Sequence, residues 1–350
     1  MANYYSGASV LCLVWAFLLG PGAASAQGEG TSLGAPTWRV VVGNDFLFDS
    51  DNAYTNGIEV QKHSALFENI DDLPGPGALN SWLLPERDGL LYRRGWAVGQ
   101  MMVTPDDLSD PNIILDDLPY LGMLAWSSSG IAFNDREFTG FEILFGVVGE
   151  ASGAEQAQTF VHGLDFVDAA EPLGWDNQLS NEPVVNFYYM KKRKLWRKPH
   201  FDGAVSFDVA VGNMVTLADV TLEMRFGDMP GGFMYIPDPL GRNMSYDATI
   251  DDGDGRYFYG SLALRATGFA HAMFYDGNVL VDDDPWTEQH TIEAEDSVGT
   301  VILGVSYVRP RWGIHFNFWF TTDLYKPGTT APGAVDSTND FGTIMYEWRF

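Results

Sequence analysis

The chain has little cysteine and little positive charge. Its 350 residues include one cysteine, and 20 Lys and Arg oppose 47 Asp and Glu, which gives a formal net charge of −27. Nucleic-acid binding depends on cationic side chains, and the one basic cluster, at 191–194, is local. We therefore expect no nucleic-acid partner. Charged residues make up only 19 % of the chain and aromatic residues 14 %, which excludes an intrinsically disordered chain or a charge-rich helical protein.

The cysteine, Cys12, lies in a short apolar segment near the N-terminus. Residues 10–19 are apolar, and they precede Gly20-Pro21 and the sequence Ala24-Ser25-Ala26. The apolar run is shorter than the ~20 residues of a transmembrane helix. Although no Lys or Arg precedes it, the pattern predicts a signal peptide over residues 1–26 with cleavage after Ala26. The mature chain, 27–350, would then have no cysteine, which excludes disulfides, thiolate metal sites and cysteine nucleophiles.

No later segment is apolar over the length of a spanning helix, so strands must carry any membrane role. Residues 312–321 alternate with a period of two: Trp312, Ile314 and Phe316 alternate with Gly313, His315 and Asn317. The terminal residues 343–350 repeat the pattern and end on an aromatic residue. Segments of ~10 residues with one apolar face predict an all-β fold, a transmembrane antiparallel β-barrel. The alternative is a secreted soluble β-sandwich, whose strands average ~6 residues.

The alternation predicts twelve strands, an even number as in single-chain bacterial barrels. We place them at 38–48, 57–66, 94–104, 121–133, 137–148, 183–195, 202–212, 218–226, 256–272, 296–308, 311–322 and 340–350. With both termini in the periplasm, the connections after odd-numbered strands face outward. Segments 67–93 and 227–255 conflict with this scheme, because they are long where short periplasmic turns are expected. Either they carry small helices or the strand count is wrong nearby.

Polar residues cluster on connections that this strand order brings to the extracellular rim. The stretches are 43–45, 52–57, 158–162 and 174–183. Residues 154–168 show no strand alternation and predict a short helix in an extracellular loop, with Gln158 and His162 on one face. One His, one Gln and several carboxylates suit hydrolysis by activated water with a hard cation. Each element has an ordinary alternative, because a loop His is usually a surface residue and Asn-Asp beside Gly usually forms a turn.

An ordered series of motifs over residues 38–226 resembles the outer-membrane lipid A 3′-O-deacylase (LpxR-like) family. The series comprises Gly43-Asn44-Asp45, Tyr54-Thr55-Asn56-Gly57, Gly99-Gln100, Thr104-Pro105, Leu118-Pro119-Tyr120-Leu121-Gly122, Gly149-Glu150-Ala151, Gln158, His162, Gly174-Trp175-Asp176-Asn177-Gln178-Leu179, Asn181-Glu182-Pro183 and Gly212-Asn213. The resemblance implies a Ca²⁺-dependent hydrolase of the bacterial outer membrane. It would use a histidine-activated water to cleave an acyl ester of lipid A in lipopolysaccharide, and a monomer is expected.

The resemblance also implies a role for individual residues. His162 resembles the general base, and Asn44 and Gln158 resemble the neighbours that position substrate or stabilise the oxyanion. Asp45, Thr55 and Gly57 resemble the calcium-binding positions. The last calcium ligand is Asp168 when counted forward from His162 and Glu171 when counted back from Trp175; Asp168 is slightly preferred.

Two features depart from this family pattern. Acidic Asp106, Asp107 and Asp110 follow Thr104-Pro105, where some deacylases have basic residues that would meet lipid A phosphates. Strict alternation would also place Asn44 and Asp45 on opposite faces, unless a bulge or strand end at Gly43 brings both into the site.

Two other functions stay open at this stage. One is a non-catalytic barrel, either a porin or a surface-binding protein. The other is an outer-membrane phospholipase with a serine nucleophile, for which Ser152 and Ser180 are the candidates.

Overall fold

The computed structural model describes residues 32–44, 53–163, 170–234, 236, 238, 248–251, 253–326 and 337–350, with only the main chain for 53–55. The predicted signal peptide and the loop around Asp45 lie outside these residues.

The chain folds into twelve long antiparallel strands. They are β1 Thr37–Asn44, β2 Ala53–His63, β3 Leu91–Thr104, β4 Leu121–Phe133, β5 Glu137–Val148, β6 Glu182–Lys198, β7 Phe201–Gly212, β8 Val215–Asp228, β9 Tyr257–Ala272, β10 Ser297–Arg309, β11 Trp312–Thr321 and β12 Phe341–Arg349. Each strand pairs with the next along the chain, and β12 pairs with β1, with Gly342 opposite Asn44 and Arg349 opposite Thr37. This closed twelve-stranded barrel confirms the predicted fold class and strand order.

Side chains alternate between a polar interior and an apolar exterior. In β11, Gly313, His315 and Asn317 are buried, whereas the alternating Trp312 is exposed. Charged interior side chains are paired: Arg39 Nη2 lies 3.0 Å from Glu347 Oε2, and Lys192 Nζ lies 2.8 Å from Glu223 Oε1. Large apolar side chains such as Phe145, Val211 and Phe258 are exposed on the outside of the barrel, which we call the outer wall. An apolar exterior around a polar lumen is the pattern of a barrel surrounded by lipid.

The connections lie at two ends. The upper end carries those after odd-numbered strands, at 45–52, 105–120, 149–181, 213–214, 273–296 and 322–340, and the lower end carries 64–90, 134–136, 199–200, 229–256 and 310–311. The upper end carries helices α2 Ala154–His162, α3 Met273–Asp276 and α4 Pro285–Gln289, and 3₁₀ turns at Glu150–Ser152 and Trp175–Asn177. Two-residue strand pairs join Ser32–Leu33 to Leu66–Phe67 and Glu293–Ala294 to Tyr325–Lys326. No helix in the described part of the chain is long and apolar enough to cross a membrane.

The two long lower connections fold against the barrel. Connection 64–90 carries a 3₁₀ turn, Ile70–Asp72, and helix α1, Gly77–Leu83. It lies on the outer wall, where Arg94 donates to Asn80 Oδ1 at 2.9 Å and to Ser128 Oγ at 2.9 Å. The predicted strand count was therefore correct, and this segment carries a small helix.

Connection 229–256 turns into the lumen. A short pair joins Gly231–Gly232 to Thr249–Ile250. The Gly232 carbonyl accepts from Lys194 Nζ at 2.5 Å and Arg225 Nη2 at 3.0 Å. Deeper inside, Arg265 Nη1 donates to Asp238 Oδ2 at 2.7 Å. Interior charges thus hold this connection in place.

Candidate active site

A row of four paired residues crosses the upper end of the outer wall. Asn44 of β1 pairs with Asn56 of β2, Asn56 with Met102 of β3, and Met102 with Gly122 of β4. Asn44, Asn56 and Gly122 lie two residues from the exposed Val42, Ile58 and Leu124, and Met102 lies four residues from the exposed Val98, which places all four on the same outward face. The predicted substrate-positioning residue Asn44 is therefore on the lipid side of the barrel.

Pairing along this row is interrupted in β2. The register between β2 and β3 shifts between Tyr54 and Asn56, which places a bulge at Thr55. By contrast, Gly43 pairs regularly with Gly57 and with Thr343, so there is no bulge at Gly43. The alternative expectation, a strand end, is nearly met, because β1 ends one residue later at Asn44. A bulged residue is left out of the regular ladder. This frees main-chain groups at Thr55, a residue expected to contribute a carbonyl oxygen to calcium.

Helix α2 packs directly on this row. A Cβ added to Gly122 would lie 2.2 Å from Ala154 Cβ and 2.4 Å from Ser152 Oγ, so only glycine permits this contact. Gln100 Nε2, from β3, donates to the Ser152 carbonyl at 2.6 Å. The helix therefore begins over β4 and also contacts β3. It ends at His162, shorter than the predicted 154–168; Gly163 follows in a turn, and 164–169 lie outside the described residues.

The dimensions of the helix match the row beneath it. Nine residues rise about 12 Å, and three strand spacings from Gly122 to Asn44 span about 14 Å. A helix that starts over Gly122 and crosses β3 has the length to bring His162 towards the β1 end of the row.

A small apolar cluster fixes α2 to its surroundings. It consists of Met102, Leu108, Tyr120, Ala154 and Trp175. The rings of Tyr120 and Trp175 are 4.9 Å apart, and the Tyr120 hydroxyl donates to the Leu108 carbonyl at 3.1 Å. Burial raises the pKa of Tyr120 to about 12, so the hydroxyl stays protonated and remains a hydrogen-bond donor to Leu108. The cluster joins connection 105–120 to connection 149–181.

Gln158 presents a buried donor on the inner face of α2. The Trp175 indole Nε1 donates to Gln158 Oε1 at 2.7 Å. Because an indole N–H can only donate, this bond determines which amide atom is oxygen. Gln158 is 3 % exposed, and no described residue accepts a hydrogen bond from its Nε2. A buried unsatisfied donor costs about 1–3 kcal/mol, which makes Gln158 Nε2 a candidate donor to a ligand acceptor.

His162 lies one helical turn beyond Gln158. Its Nδ1 is 2.7 Å from the Ala170 carbonyl oxygen. Since a carbonyl only accepts, Nδ1 carries the proton of the neutral ring and Nε2 is left unprotonated. The ring is half-buried. The arrangement orients an imidazole with the lone pair that a general base requires.

The structure describes only some of the residues predicted to bind calcium. Glu171 is exposed and follows Ala170, which holds His162. Gly57 is buried in regular pairing between β1 and β3. Asp45 and Asp168 lie outside the described residues. Within the described ranges, no group of three or more His, Cys, Asp or Glu is placed to hold a metal ion.

Sequence reasoning did not assign roles to Trp175, Tyr120 and Gly122, which hold Gln158 and α2. All three occur in the motif series, so the signal was present. Their function depends on contacts between distant segments, which a single sequence does not reveal.

Comparison with known proteins decides the family. The model of the family described as outer membrane protein LpxR matches residues 10–350. The chain belongs to the LpxR family. The resemblance inferred from the motifs is thereby confirmed, as is the outer-membrane location.

One solved structure agrees with the fold of this LpxR-family protein. LpxR from Salmonella typhimurium superposes with a TM-score of 0.69 at 11 % identity, covering 90 % of this chain and 100 % of that one. The β domain of the Bordetella autotransporter BrkA (TM-score 0.42, 9 % identity, coverage 91 % and 98 %) and the COG4313 channel of Pseudomonas putida F1 (0.43, 10 %, coverage 94 % and 99 %) are also similar. No curated protein matches significantly.

Proposed function

We propose that the protein is a calcium-dependent hydrolase that removes an acyl or acyloxyacyl chain from lipid A in the outer leaflet. Membership of the LpxR family supports lipid A as the substrate. The observation that carries the chemistry is the pair on α2: an oriented His162 and, one turn away, the buried unsatisfied Nε2 of Gln158.

His162 acts as the general base. With Nδ1–H bound to Ala170, Nε2 accepts a proton from water as the water attacks the ester carbonyl. The resulting imidazolium then supplies a proton to the leaving alkoxide. The Ala170 carbonyl can accept from Nδ1 throughout, so the ring stays oriented in both protonation states.

Gln158 stabilises the negative charge that develops on the carbonyl oxygen. Its Nε2 is held by the Trp175 bond at the other end of the amide, so the donor needs little reorganisation. Asn44, on the same outer wall, has a second side-chain amide. We assign Asn44 as a second donor, so that it and Gln158 would together bind a neutral ester that becomes an oxyanion.

The proposed calcium ligands are all oxygen donors. Asp45 and either Asp168 or Glu171 would supply carboxylates, and Thr55 and Gly57 would supply main-chain carbonyls. The bulge at Thr55 is the structural feature that fits this set, because it releases main-chain groups from the ladder. A hard cation bound there would polarise the ester carbonyl.

The position of the site determines how substrate arrives. Gly122 and α2 lie on the outer wall, in line with exposed Leu124 and Trp126. Acyl chains packed against this apolar wall bring their ester to the upper end, where the row from Asn44 to Gly122 lies.

Mass spectrometry of lipid A tests the proposal. Outer membranes containing the wild-type protein should lose an acyl or acyloxyacyl mass with Ca²⁺ and not with EDTA. His162→Ala should abolish the change while the protein stays heat-modifiable on gels. His200→Ala, an exposed histidine in a lower-end turn, is the matched control. Full cleavage by folded His162→Ala would overturn the assignment of the base.

The structure favours this function over the two alternatives. Ser152 lies in the 3₁₀ turn before α2, at the opposite end from His162, about 15 Å away at about 1.5 Å of rise per residue, which is too far for nucleophile activation. Ser180 is tied through its main chain to Asp284 and Asn278 on connection 273–296. Against a porin, apolar side chains such as Phe274, Trp286 and Leu324 pack across the upper lumen.

A further inference from the structure

Charge at the upper end is almost entirely of one sign. Lys326 is the single Lys or Arg in the upper-end connections, whereas Asp or Glu occurs in every one of them except 213–214. The other cations lie in the strands, where Arg39, Lys192 and Arg225 pair inside the barrel, or at the lower end. The end that carries α2 is therefore strongly acidic.

Two of these carboxylates lie on the connection that packs against the active-site cluster. Asp107 Oδ1 accepts from Ser109 N at 3.0 Å and Ser109 Oγ at 2.6 Å, and Asp110 Oδ1 accepts from Asn112 N at 2.8 Å. Both hydrogen bonds from Ser109 lower the pKa of Asp107, so this exposed carboxyl stays ionised. The acidic charge is built into the turns of this connection.

The connection is fixed beside the candidate active site. Leu173 N donates to the Leu108 carbonyl at 2.8 Å, and Asn177 Nδ2 donates to the Pro111 carbonyl at 2.9 Å. Trp175, between these two anchors, holds Gln158. The carboxylates of Asp107 and Asp110 thus cannot move away from an approaching head group without dismantling the cluster that positions the amide donor.

We propose that this site selects acylated glycolipids of the lipid A type whose sugar phosphates are absent or capped by amino groups. The inference rests on the proposed function and names its substrate class. Phosphate recognition uses Arg or Lys, and each phosphate brings about −1.5 to −2 charges to a surface that is already acidic. The buried donor of Gln158 is neutral and suits an ester carbonyl, whereas the surrounding carboxylates repel phosphate and attract ammonium.

Hydrolysis of matched lipids tests the selectivity. The substrates are lipid A with two free phosphates, the same lipid A after chemical dephosphorylation, and lipid A with ethanolamine-capped phosphates, each in non-ionic micelles at one fixed Ca²⁺ concentration. Dephosphorylated and capped lipids should be cleaved about tenfold faster at low salt, and added NaCl should shrink the difference as the charges are screened. Equal or faster cleavage of bisphosphorylated lipid would overturn the inference.

Charge-removing variants test the origin of the selectivity. Asn keeps the Oδ1 acceptor of each turn, so Asp107→Asn with Asp110→Asn removes two charges and leaves the turn hydrogen bonds. The double variant should cleave bisphosphorylated lipid about threefold faster or more, with an unchanged rate on dephosphorylated lipid. Asp254→Asn is the matched control, because Asp254 caps a similar exposed turn at the lower end. An equal rise in both variants would contradict a local effect.

A binding measurement separates this inference from the catalytic proposal. The unfolding temperature of folded His162→Ala is measured in micelles with each lipid. Greater stabilisation by dephosphorylated and capped lipids would support the selectivity. If wild type cleaved no lipid at all, that failure would refute the hydrolase and leave the selectivity standing. Greater stabilisation by bisphosphorylated lipid would refute the selectivity whatever the rates.

Discussion

The indole nitrogen of Trp175 lies 2.7 Å from the amide oxygen of Gln158, and this bond leaves the amide nitrogen as the buried, unsatisfied donor. Two segments of connection 149–181 are thereby joined, one on α2 and one in the 3₁₀ turn before β6. The bond fixes the direction of the donor before any substrate arrives, which is the requirement for preorganised oxyanion stabilisation.

Gln158→Glu tests this donor directly. Glutamate keeps an acceptor for Trp175 and loses the amide N–H, so we expect kcat to fall about 10²–10³-fold with intact folding. Steady-state kinetics on a soluble acyl ester analogue in micelles measures the loss. Gln156→Glu, on the exposed side of the same helix, introduces the same charge and should change kcat little. A similar loss in both variants would mean that charge, not the donor, is responsible.

Gly122→Ala tests the seating of α2 on the outer wall. The added methyl group would meet Ala154 Cβ at 2.2 Å, so we expect the helix to be displaced and hydrolysis to fall at least about 10²-fold. The barrel should keep its heat-modifiable band on gels. Gly260→Ala is the control, because a Cβ there has only Gly304 O at 3.8 Å within reach. Normal activity in Gly122→Ala would contradict the assigned helix position.

Asp202→Asn tests the interior ion pairs that hold connection 229–256. Asp202 bridges Arg225 Nη2 at 2.5 Å and Lys194 Nζ at 2.7 Å, all of them buried. Removing the carboxylate charge leaves two cations uncompensated, so we expect a loss of about 3–5 kcal/mol in unfolding free energy. Urea unfolding in lipid vesicles measures it. The exposed pair Arg87–Glu137 provides the contrast, since Glu137→Gln should cost below about 1 kcal/mol.

Asp45→Asn tests the proposed calcium ligand without relying on turnover. Ca²⁺ that binds the folded barrel raises its unfolding temperature by mass action, and EDTA should reverse the rise. Loss of the carboxylate should abolish most of it, because charged oxygens dominate Ca²⁺ affinity. Asp254→Asn should retain the full rise. An unaltered calcium response in Asp45→Asn would remove that residue from the site.

The strands were predictable because each one faces two environments. Period-two alternation in 312–321 and 343–350 reflects lipid on one side and a polar lumen on the other, and the observed strands Trp312–Thr321 and Phe341–Arg349 fall close to the predicted bounds. Pairing of Gln158 and His162 on one helical face also followed from spacing alone.

Longer-range relationships were not predictable. Small helices in connections 64–90 and 229–256 were one of two expectations, but where these connections pack was not predictable, because their partners, Arg94 on the outer wall and Arg225 in the lumen, are distant in sequence. The position of the bulge, at Thr55 and not at Gly43, depends on the register shift between β2 and β3, which the sequence does not show. The acceptor role of Gln158 towards Trp175 depends on two segments of connection 149–181 folding together.

The seat of α2 on the outer wall has a kinetic consequence. With lipid A as the proposed substrate, substrate and protein would share one leaflet, so their encounters would occur by diffusion in a plane. Turnover should then follow the mole fraction of substrate among the surrounding lipids and not its amount per volume of solution. A barrel built in this way works as a surface enzyme, whose effective substrate concentration is set by the composition of the membrane that holds it.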